Sequence, residues 1–264
     1  MNLFNFNPAD FLSFLLTLMR ISIVLFIMPF FNGRAAPAPL KAALCLILTL
    51  AVWPALSFPG KMLPANVWAI VLMLIGEITL GLVLSLVVSI LFAAVQTGGS
   101  LVGFQMGFSM INVADPVSGA NESITGHFMY MVTFLTFLIL DGHLMLIRGL
   151  AESFRLIPPG GLYLTPGLAR QVLDLSSQIF VLGIRIAAPV MLAVFLVDLA
   201  IALIGRAAPQ MNVLAFGFPL KIITGFIFLG LIFAILARFV GDFILDLNDI
   251  FNTIFVLGSK GAAR

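Results

Sequence analysis

The sequence predicts an all-α, polytopic membrane protein of about six long apolar helices. Three observations carry that expectation. Hydrophobic residues make up 62% of the 264 and charged residues only 9%, where soluble domains carry about 25% charged, and the mean hydropathy is +1.20. Apolar runs long enough to span a bilayer as helix, for which about 20 residues suffice, recur along the whole chain. Between them stand clusters of Gly, Pro and Asn, the residues that end helices.

That ruler gives stretches at 10–31, 40–58, 67–95, 127–147, 172–204 and 213–257. The ten residues that open the chain carry no positive side chain, unlike the basic start of a cleavable signal peptide, so the first stretch is expected to be a retained membrane helix. Breakers at 32–39 and 58–64 frame the second. It holds the single cysteine, Cys45, which has no mate for an internal disulfide and is expected to be a small buried apolar side chain. The third contains Gly-Glu-Ile-Thr-Leu-Gly at 76–81. The fourth ends near Asp141-Gly142-His143, and both Asp and Gly tolerate left-handed backbone, so a turn is expected there. Pro158, Pro159, Gly160 and Gly161 form the next break. The last two stretches exceed the hydrocarbon thickness and must tilt, kink or project from it.

The final stretch changes character along its length. It is almost purely apolar to Ala237, after which Arg238, Asp242, Asp246, Asp249, Asn252 and Thr253 recur at threes and fours on one helical face. A solvated face is the plain reading; a docking face for a partner is the alternative. The net charge of +2 comes from 13 basic and 11 acidic residues spread thinly, with no basic stripe for nucleic acid, which is not an expected partner. Simple alternation of the stretches puts Arg34, Lys41, Arg206 and Lys221 on one side and Lys61, Arg148, Arg155, Arg170, Lys260 and Arg264 on the other. So weak a bias leaves the membrane orientation open.

Segment 98–119 is oily yet full of helix-weakening residues, and it lacks Lys and Arg altogether. Gly99, Gly103 and Gly107 recur at a spacing of four, which puts them on one helical face where a second backbone can come close. Beyond Gly107 the helix is expected to fail, since Asn112, Asp115 and Pro116 follow. Irregular backbone at membrane depth survives only where protein covers it or where it lines a cavity. The segment is therefore expected to mark the working part of the molecule.

Ionisable groups inside the apolar stretches are Arg20, Glu77, Asp174, Arg185 and Asp198, each costly in lipid unless paired or wet. Glu77 lies between Gly76 and Gly81, where a neighbouring helix can approach, and either Arg20 or Arg185 could neutralise it. An interhelical ion pair is the structural reading, a proton relay or substrate site the functional one. For chemistry, only Glu122, His127, Asp141 and His143 stand near one another in sequence, on no recognised ligand spacing. No nucleophile elbow, phosphate loop or zinc-protease motif is present. No metal, cofactor or catalytic residue is expected.

Several motifs in order along the chain carry a family resemblance. Arg20 in the first stretch is followed by Pro-Phe-Phe-Asn-Gly-Arg at 29–34, Gly-Glu-Ile-Thr-Leu-Gly at 76–81 and Asp-Pro-Val-Ser-Gly at 115–119. The Asp-Gly-His turn comes next, then Arg-Ala-Ala-Pro-Gln-Met-Asn-Val-Leu-Ala-Phe-Gly-Phe-Pro-Leu-Lys at 206–221. Together they resemble the FliR family of flagellar export-gate proteins, similar to the matching subunit of injectisome type III secretion systems. The resemblance implies a hetero-oligomer with FliP-like and FliQ-like subunits. FlhB-like and FlhA-like components would act at its cytoplasmic side, and unfolded flagellar proteins would pass through it in the bacterial inner membrane at the flagellar basal body. It implies inclined helical hairpins, with residues 1–171 FliP-like and 172–264 a FliQ-like hairpin that turns at 207–212.

The same resemblance assigns roles to residues. A pore-closing plug would correspond to segment 106–122, with Met106, Gly107, Phe108, Ser109, Met110, Ile111, Asn112, Asp115 and Pro116 within it. Gly76, Gly81, Gly99 and Gly103 would allow tight helix packing. Arg206, Gln210, Asn212 and Lys221 would surround a cytoplasmic entrance turn. Two other classes compete. A small-solute secondary transporter would use 98–119 as a broken helix and Glu77, Asp174 or Asp198 as coupling-ion ligands, but such folds show paired breaks and the chain has one strong break. An intramembrane enzyme would need His127, Asp141 and His143 to converge.

Overall fold

The computed structural model describes residues 8–28, 37–55, 66–108, 123–210 and 212–259. Seven α-helices carry the described chain: α1 (Pro8–Ile27), α2 (Ala38–Val52), α3 (Val67–Met106), α4 (Ile124–Ile139), α5 (Gly142–Leu156), α6 (Pro166–Ala207) and α7 (Val213–Gly258). A short 3-10 turn, Trp53–Ala55, follows α2, and there is no strand among the described residues. The chain is an all-α polytopic membrane protein.

Four helices, α1, α3, α6 and α7, are long and apolar enough to cross a membrane, or up to five spans if the bent pair α4 and α5 counts as one. The count is thus about five rather than the six expected. The second stretch falls short because α2 has 15 residues, about 22 Å of helix at 1.5 Å per residue, against a hydrocarbon core of about 30 Å. The fourth stretch is two helices bent by 69°. Asp141 makes the bend, with φ 56° and ψ 23° in the left-handed region, a conformation Asp adopts more readily than most residues.

Helix ends follow local chemistry. α3 stops at Met106 in a Schellman cap: Gly107 has φ 90°, its N–H bonds Phe104 O at 3.1 Å, and Phe108 N–H reaches Gly103 O at 3.0 Å. A residue with a Cβ would be strained at that φ, so the glycine decides the stop. α4 opens on Ser123, whose Oγ accepts from Gly126 N–H at 3.2 Å. α6 opens six residues earlier than the stretch starting at 172, on Thr165-Pro166. The Thr165 hydroxyl accepts from Leu168 N–H at 3.2 Å, and proline occupies the first turn, where no N–H is needed.

The chain divides into two compact units. The first comprises Met1–Ser89, Asp141–Leu175 and Leu245–Arg264. Its core includes Leu16, Ile21 and Val24 from α1, Leu146, Leu150 and Phe154 from α5, and Leu247, Phe251 and Phe255 from α7. α1 and α2 are joined by Trp53, whose indole N–H donates to Ser13 Oγ at 2.8 Å while its ring meets Phe14 edge-on at 5.8 Å. Cys45 is buried in α2.

The second unit comprises Ile90–Leu140 and Ser176–Ile244. Its core is the last part of α3, with Leu91, Phe92, Val95, Val102 and Met106 buried, against Met129 and Phe137 of α4, Val190 and Val194 of α6, and Leu229, Ile232 and Leu236 of α7. Phe92 packs on Tyr130 at 5.4 Å and on Phe137 at 5.6 Å.

The long helices differ sharply in how much of their apolar surface the chain covers. In its most apolar window α3 is 67% buried, whereas α6 is 28% and α7 22% buried. Phe180, Leu192, Phe195, Phe216, Ile227 and Leu231 face outward. Their apolar character matches surroundings other than water.

Candidate functional site

In the first unit, α1, α3 and α5 meet around one ion pair. Arg20 Nε donates to Glu77 Oε2 at 2.6 Å and its second terminal nitrogen to Oε1 at 3.0 Å. The remaining terminal nitrogen reaches Ser153 Oγ at 3.2 Å and Ile157 O at 3.0 Å. Glu77 Oε1 also accepts from Gly160 N–H at 2.7 Å. The guanidinium lies 4.3 Å from the centre of the Phe154 ring, and both charged side chains are 0% exposed. A bidentate pair whose further hydrogen bonds reach Ser153, Ile157 O and Gly160 N–H is the arrangement that lets charge be buried at tolerable cost. Gly81 permits it: a Cβ there would lie 3.0 Å from Ile23 and 3.3 Å from Arg20 O. Gly76 has more room, with Leu162 Cβ at 3.6 Å. Arg185 is an exposed side chain of α6 and belongs to the other unit.

In the second unit, glycines bring α4 and α6 onto the end of α3. A Cβ on Gly99 would stand 2.7 Å from the Gly126 Cα of α4, and one on Gly98 would stand 2.7 Å from the Gly183 carbonyl of α6. At Gly103 it would lie 2.6 Å from Thr125 Oγ1 and 2.9 Å from Ser123 Oγ. Backbone meets backbone at the first two positions, which only paired glycines allow. Thr125 Oγ1 itself is buried without a hydrogen-bond partner.

The last turn of α3 is held from two further directions. Gln105 Nε2 donates to Met191 O of α6 at 2.9 Å. Met106, 0% exposed, lies across Gly225 of α7, where a Cβ would meet its Cγ at 2.7 Å and its sulfur at 2.6 Å. Gly107 abuts Phe218, and the Phe108 ring meets Phe226 at 6.1 Å. Ser109, Met110, Ile111, Asn112, Asp115 and Pro116 lie outside the described residues, as do Arg34 and the 29–34 and 115–119 motifs.

The remaining charged and polar residues separate. Lys221 pairs with Asp198 across α7 and α6, close to the turn between them, both partly exposed. Gly217 lies against Ile201 one turn away, so the two helices run antiparallel there. Arg206 and Gln210 are exposed at that turn, and Asn212 caps α7 by accepting from Ala215 N–H at 3.3 Å. Asp174 is exposed on α6 in the first unit. His127 stacks on Tyr130 at 6.2 Å. His143 Nδ1 is buried without a hydrogen-bond partner.

Residues 11–247 match the family described as bacterial export proteins, family 1. The Flagellar biosynthetic protein FliR of Bacillus subtilis (strain 168) is 33% identical over 220 residues, covering 82% of this chain and 84% of that one. The chain belongs to the FliR family. FliR of Escherichia coli (strain K12) is 30% identical over 237 residues, 90% of this chain and 89% of its own. FliR of Aquifex aeolicus (strain VF5) is 32% identical over 224 residues, 83% and 84% of the two chains. Membership makes this FliR-family chain a membrane component of the flagellar protein export apparatus.

Sequence reasoning missed four contributors to the α3 end of this FliR-family chain: Gly98, Gly183, Gly225 and Gln105. The glycines stand on separate helices, and no spacing rule within one helix pairs them. Gln105 did carry a signal, because a lone amide in an apolar run one turn from a helix stop needs a partner.

Proposed function

We propose that this chain is a core subunit of the flagellar type III export gate. With FliP-like and FliQ-like subunits it forms the channel for unfolded flagellar substrates in the bacterial inner membrane at the flagellar basal body. FlhB-like and FlhA-like components act at its cytoplasmic side. The observation that carries this reading is FliR-family membership over residues 11–247, joined to the outward apolar surface of α6 and α7, whose windows are 28% and 22% buried. Surfaces of that kind on helices of 42 and 46 residues suit coverage by neighbouring subunits as well as lipid. On this reading 1–171 is the FliP-like part and 172–264 the FliQ-like hairpin. The Arg206, Gln210, Asn212 and Lys221 turn lies at the cytoplasmic entrance.

The segment from Met106 to Glu122 is the plug of that channel. Phe108, Met110 and Ile111 supply deformable apolar surface that seals against ions and yields to cargo. The segment carries no Lys or Arg to hold a passing chain. The chain contributes no catalytic residue, metal or cofactor to the process.

Gentle extraction of the tagged protein from its native membrane, followed by native mass spectrometry, tests the reading. FliP-like and FliQ-like companions are the expected result. A stable monomer or homodimer without them overturns it. For the plug, deletion of 109–119 leaves the assembly intact and makes it leak ions, and an ion-tight deletion counts against the assignment.

A further inference from the structure

We propose that the cleft between α5 and the last turns of α7 binds the zwitterionic phosphoethanolamine headgroup of a membrane lipid. The cleft lies wholly within the first unit and has a volume of about 280 Å³, near the lower end of small-molecule pockets at about 300 Å³. Its apolar part is Gly149 with the rings of Phe251 and Phe255, which stack at 6.2 Å. The opening exists because residue 149 is glycine: a Cβ there would stand 2.6 Å from the Phe251 ring. Its polar part is Arg148 and Glu152 from α5 and Asn248 and Asn252 from α7, each pair four positions apart and so on one helical face.

Two signs of charge share this cleft without neutralising each other. Arg148 and Glu152 stand at a spacing where helical residues can pair, yet Glu152 Oε2 accepts from Arg155 at 3.2 Å instead. Arg148 makes no hydrogen bond or ion pair among the described residues, and neither does the Asn248 or Asn252 side chain. A guanidinium and two amides therefore stand ready for acceptor oxygens, and the second Glu152 oxygen stands ready for a donor. A simple anion uses only the first set and is repelled by Glu152. A phosphodiester carrying an ammonium group on a short arm uses both, its oxygens accepting from Arg148 and the amides while the ammonium donates to Glu152. Asp249 is exposed beside Asn252 but does not line the cleft.

The surroundings specify a lipid as the carrier of that headgroup. α5 and α7 run parallel here, since Gly149 meets Phe251 and, further on in both, Ile157 meets Gly258. Leu144 and Leu245, 44% and 71% exposed, therefore flank the same end of the cleft, about one turn before Arg148 and Asn248. Along α7 that end leads back toward the almost purely apolar part that stops at Ala237. An amphiphile then meets matching surface at both ends, with its charges in the cleft and its acyl carbons on the two leucines.

The test titrates the full-length chain, delipidated in detergent, with dioleoylphosphatidylethanolamine, dioleoylphosphatidylglycerol or free phosphoethanolamine, and follows bound molecules by native mass spectrometry. Phosphatidylethanolamine is expected to be retained, more tightly than phosphatidylglycerol and far more tightly than free phosphoethanolamine, which lacks acyl chains. Arg148→Gln and Asn252→Leu, one on each wall, are each expected to weaken both lipids, Arg148→Gln by roughly tenfold, the scale of one charge-assisted hydrogen bond. Glu152→Gln is expected to weaken phosphatidylethanolamine alone and so bring the two lipids level. Equal retention of the two lipids by the unaltered chain overturns the zwitterionic assignment, and free phosphoethanolamine binding as tightly as its lipid overturns the membrane source. Lipid retention that none of the three variants changes overturns the site. So does absence of retained lipid, and Asn252→Cys that then cross-links to a companion protein in the extracted assembly makes the cleft a protein contact instead.

Discussion

Arg20 and Glu77 face each other through two parallel hydrogen bonds, 2.6 and 3.0 Å long, with neither side chain reaching solvent. The pair ties α1 to α3, and its outer contacts to Ser153, Ile157 O and Gly160 N–H add α5 and the turn after it. Removing one partner of a buried pair strands the other, at a cost of about 3–5 kcal/mol. Glu77→Gln and Arg20→Ala are each expected to lose that much stability. The check is the thermal unfolding midpoint of the purified subunit in detergent, where both variants fall well below Gly76→Ala, a change one residue from Glu77 that leaves the pair in place.

Exchanging the charges separates this pair from the one at Lys221 and Asp198. Arg20→Glu with Glu77→Arg leaves Ile157 O and Gly160 N–H facing groups of the wrong kind, since a carboxylate cannot donate to a carbonyl and a guanidinium cannot accept from an N–H. The double exchange is expected to be no more stable than either single change. Lys221 and Asp198 are 27% and 38% exposed, and an exposed pair contributes about 0.2–1 kcal/mol. Lys221→Asp with Asp198→Lys is accordingly expected to restore most of the loss of either single reversal. Double-mutant cycles on unfolding midpoints check both statements.

Glycine-to-alanine changes are expected to differ in sign along the helices. Alanine stabilises a helix interior by about 0.5–1 kcal/mol over glycine where the methyl has room. A Cβ on Gly230 would have nothing within 4 Å, and one on Gly76 would make only an ordinary contact at 3.6 Å, so alanine is expected to stabilise the isolated subunit at both. At Gly99 the methyl meets the Gly126 Cα at 2.7 Å and Thr125 O at 3.0 Å. Backbone must then move, and overpacking of that kind costs about 1–3 kcal/mol. Unfolding midpoints of the three variants decide the matter, and a Gly99→Ala protein as stable as Gly230→Ala would refute the close approach.

The sequence exposed features that depend on a residue and its immediate neighbours. The stop of α3 at Gly107 is one, because a glycine at a helix end followed by Asn, Asp and Pro needs no partner to end the helix. The membrane class is another, since composition alone sets it. Features that depend on pairs were not legible. Arg20 and Arg185 were equivalent candidates for Glu77 in the sequence; which of them arrives is a matter of how α1 meets α3. Gly98 and Gly183 meet although neither belongs to a common repeat. The short α2 was hidden for a different reason: hydropathy continues smoothly through Trp53 while the helix does not, whereas the Asp141-Gly142 pair did announce its left-handed turn.

Gly107 gives a prediction in which two costs can be pulled apart. Its φ of 90° is one an L residue rarely adopts, and a Cβ there would also lie 2.8 Å from the Phe218 ring. Gly107→Ala should therefore lose stability for a conformational reason and a steric one together. Phe218→Ala removes the ring and with it the steric part. In the double variant Gly107→Ala with Phe218→Ala, the loss relative to Phe218→Ala alone is expected to stay at about 1–2 kcal/mol, the cost of left-handed backbone for a residue with a Cβ. A residual near zero in that cycle would mean that α3 ends where it does because of Phe218 packing, and that the left-handed turn is a consequence of the contact; a residual at the expected level makes the glycine itself the cause of the stop.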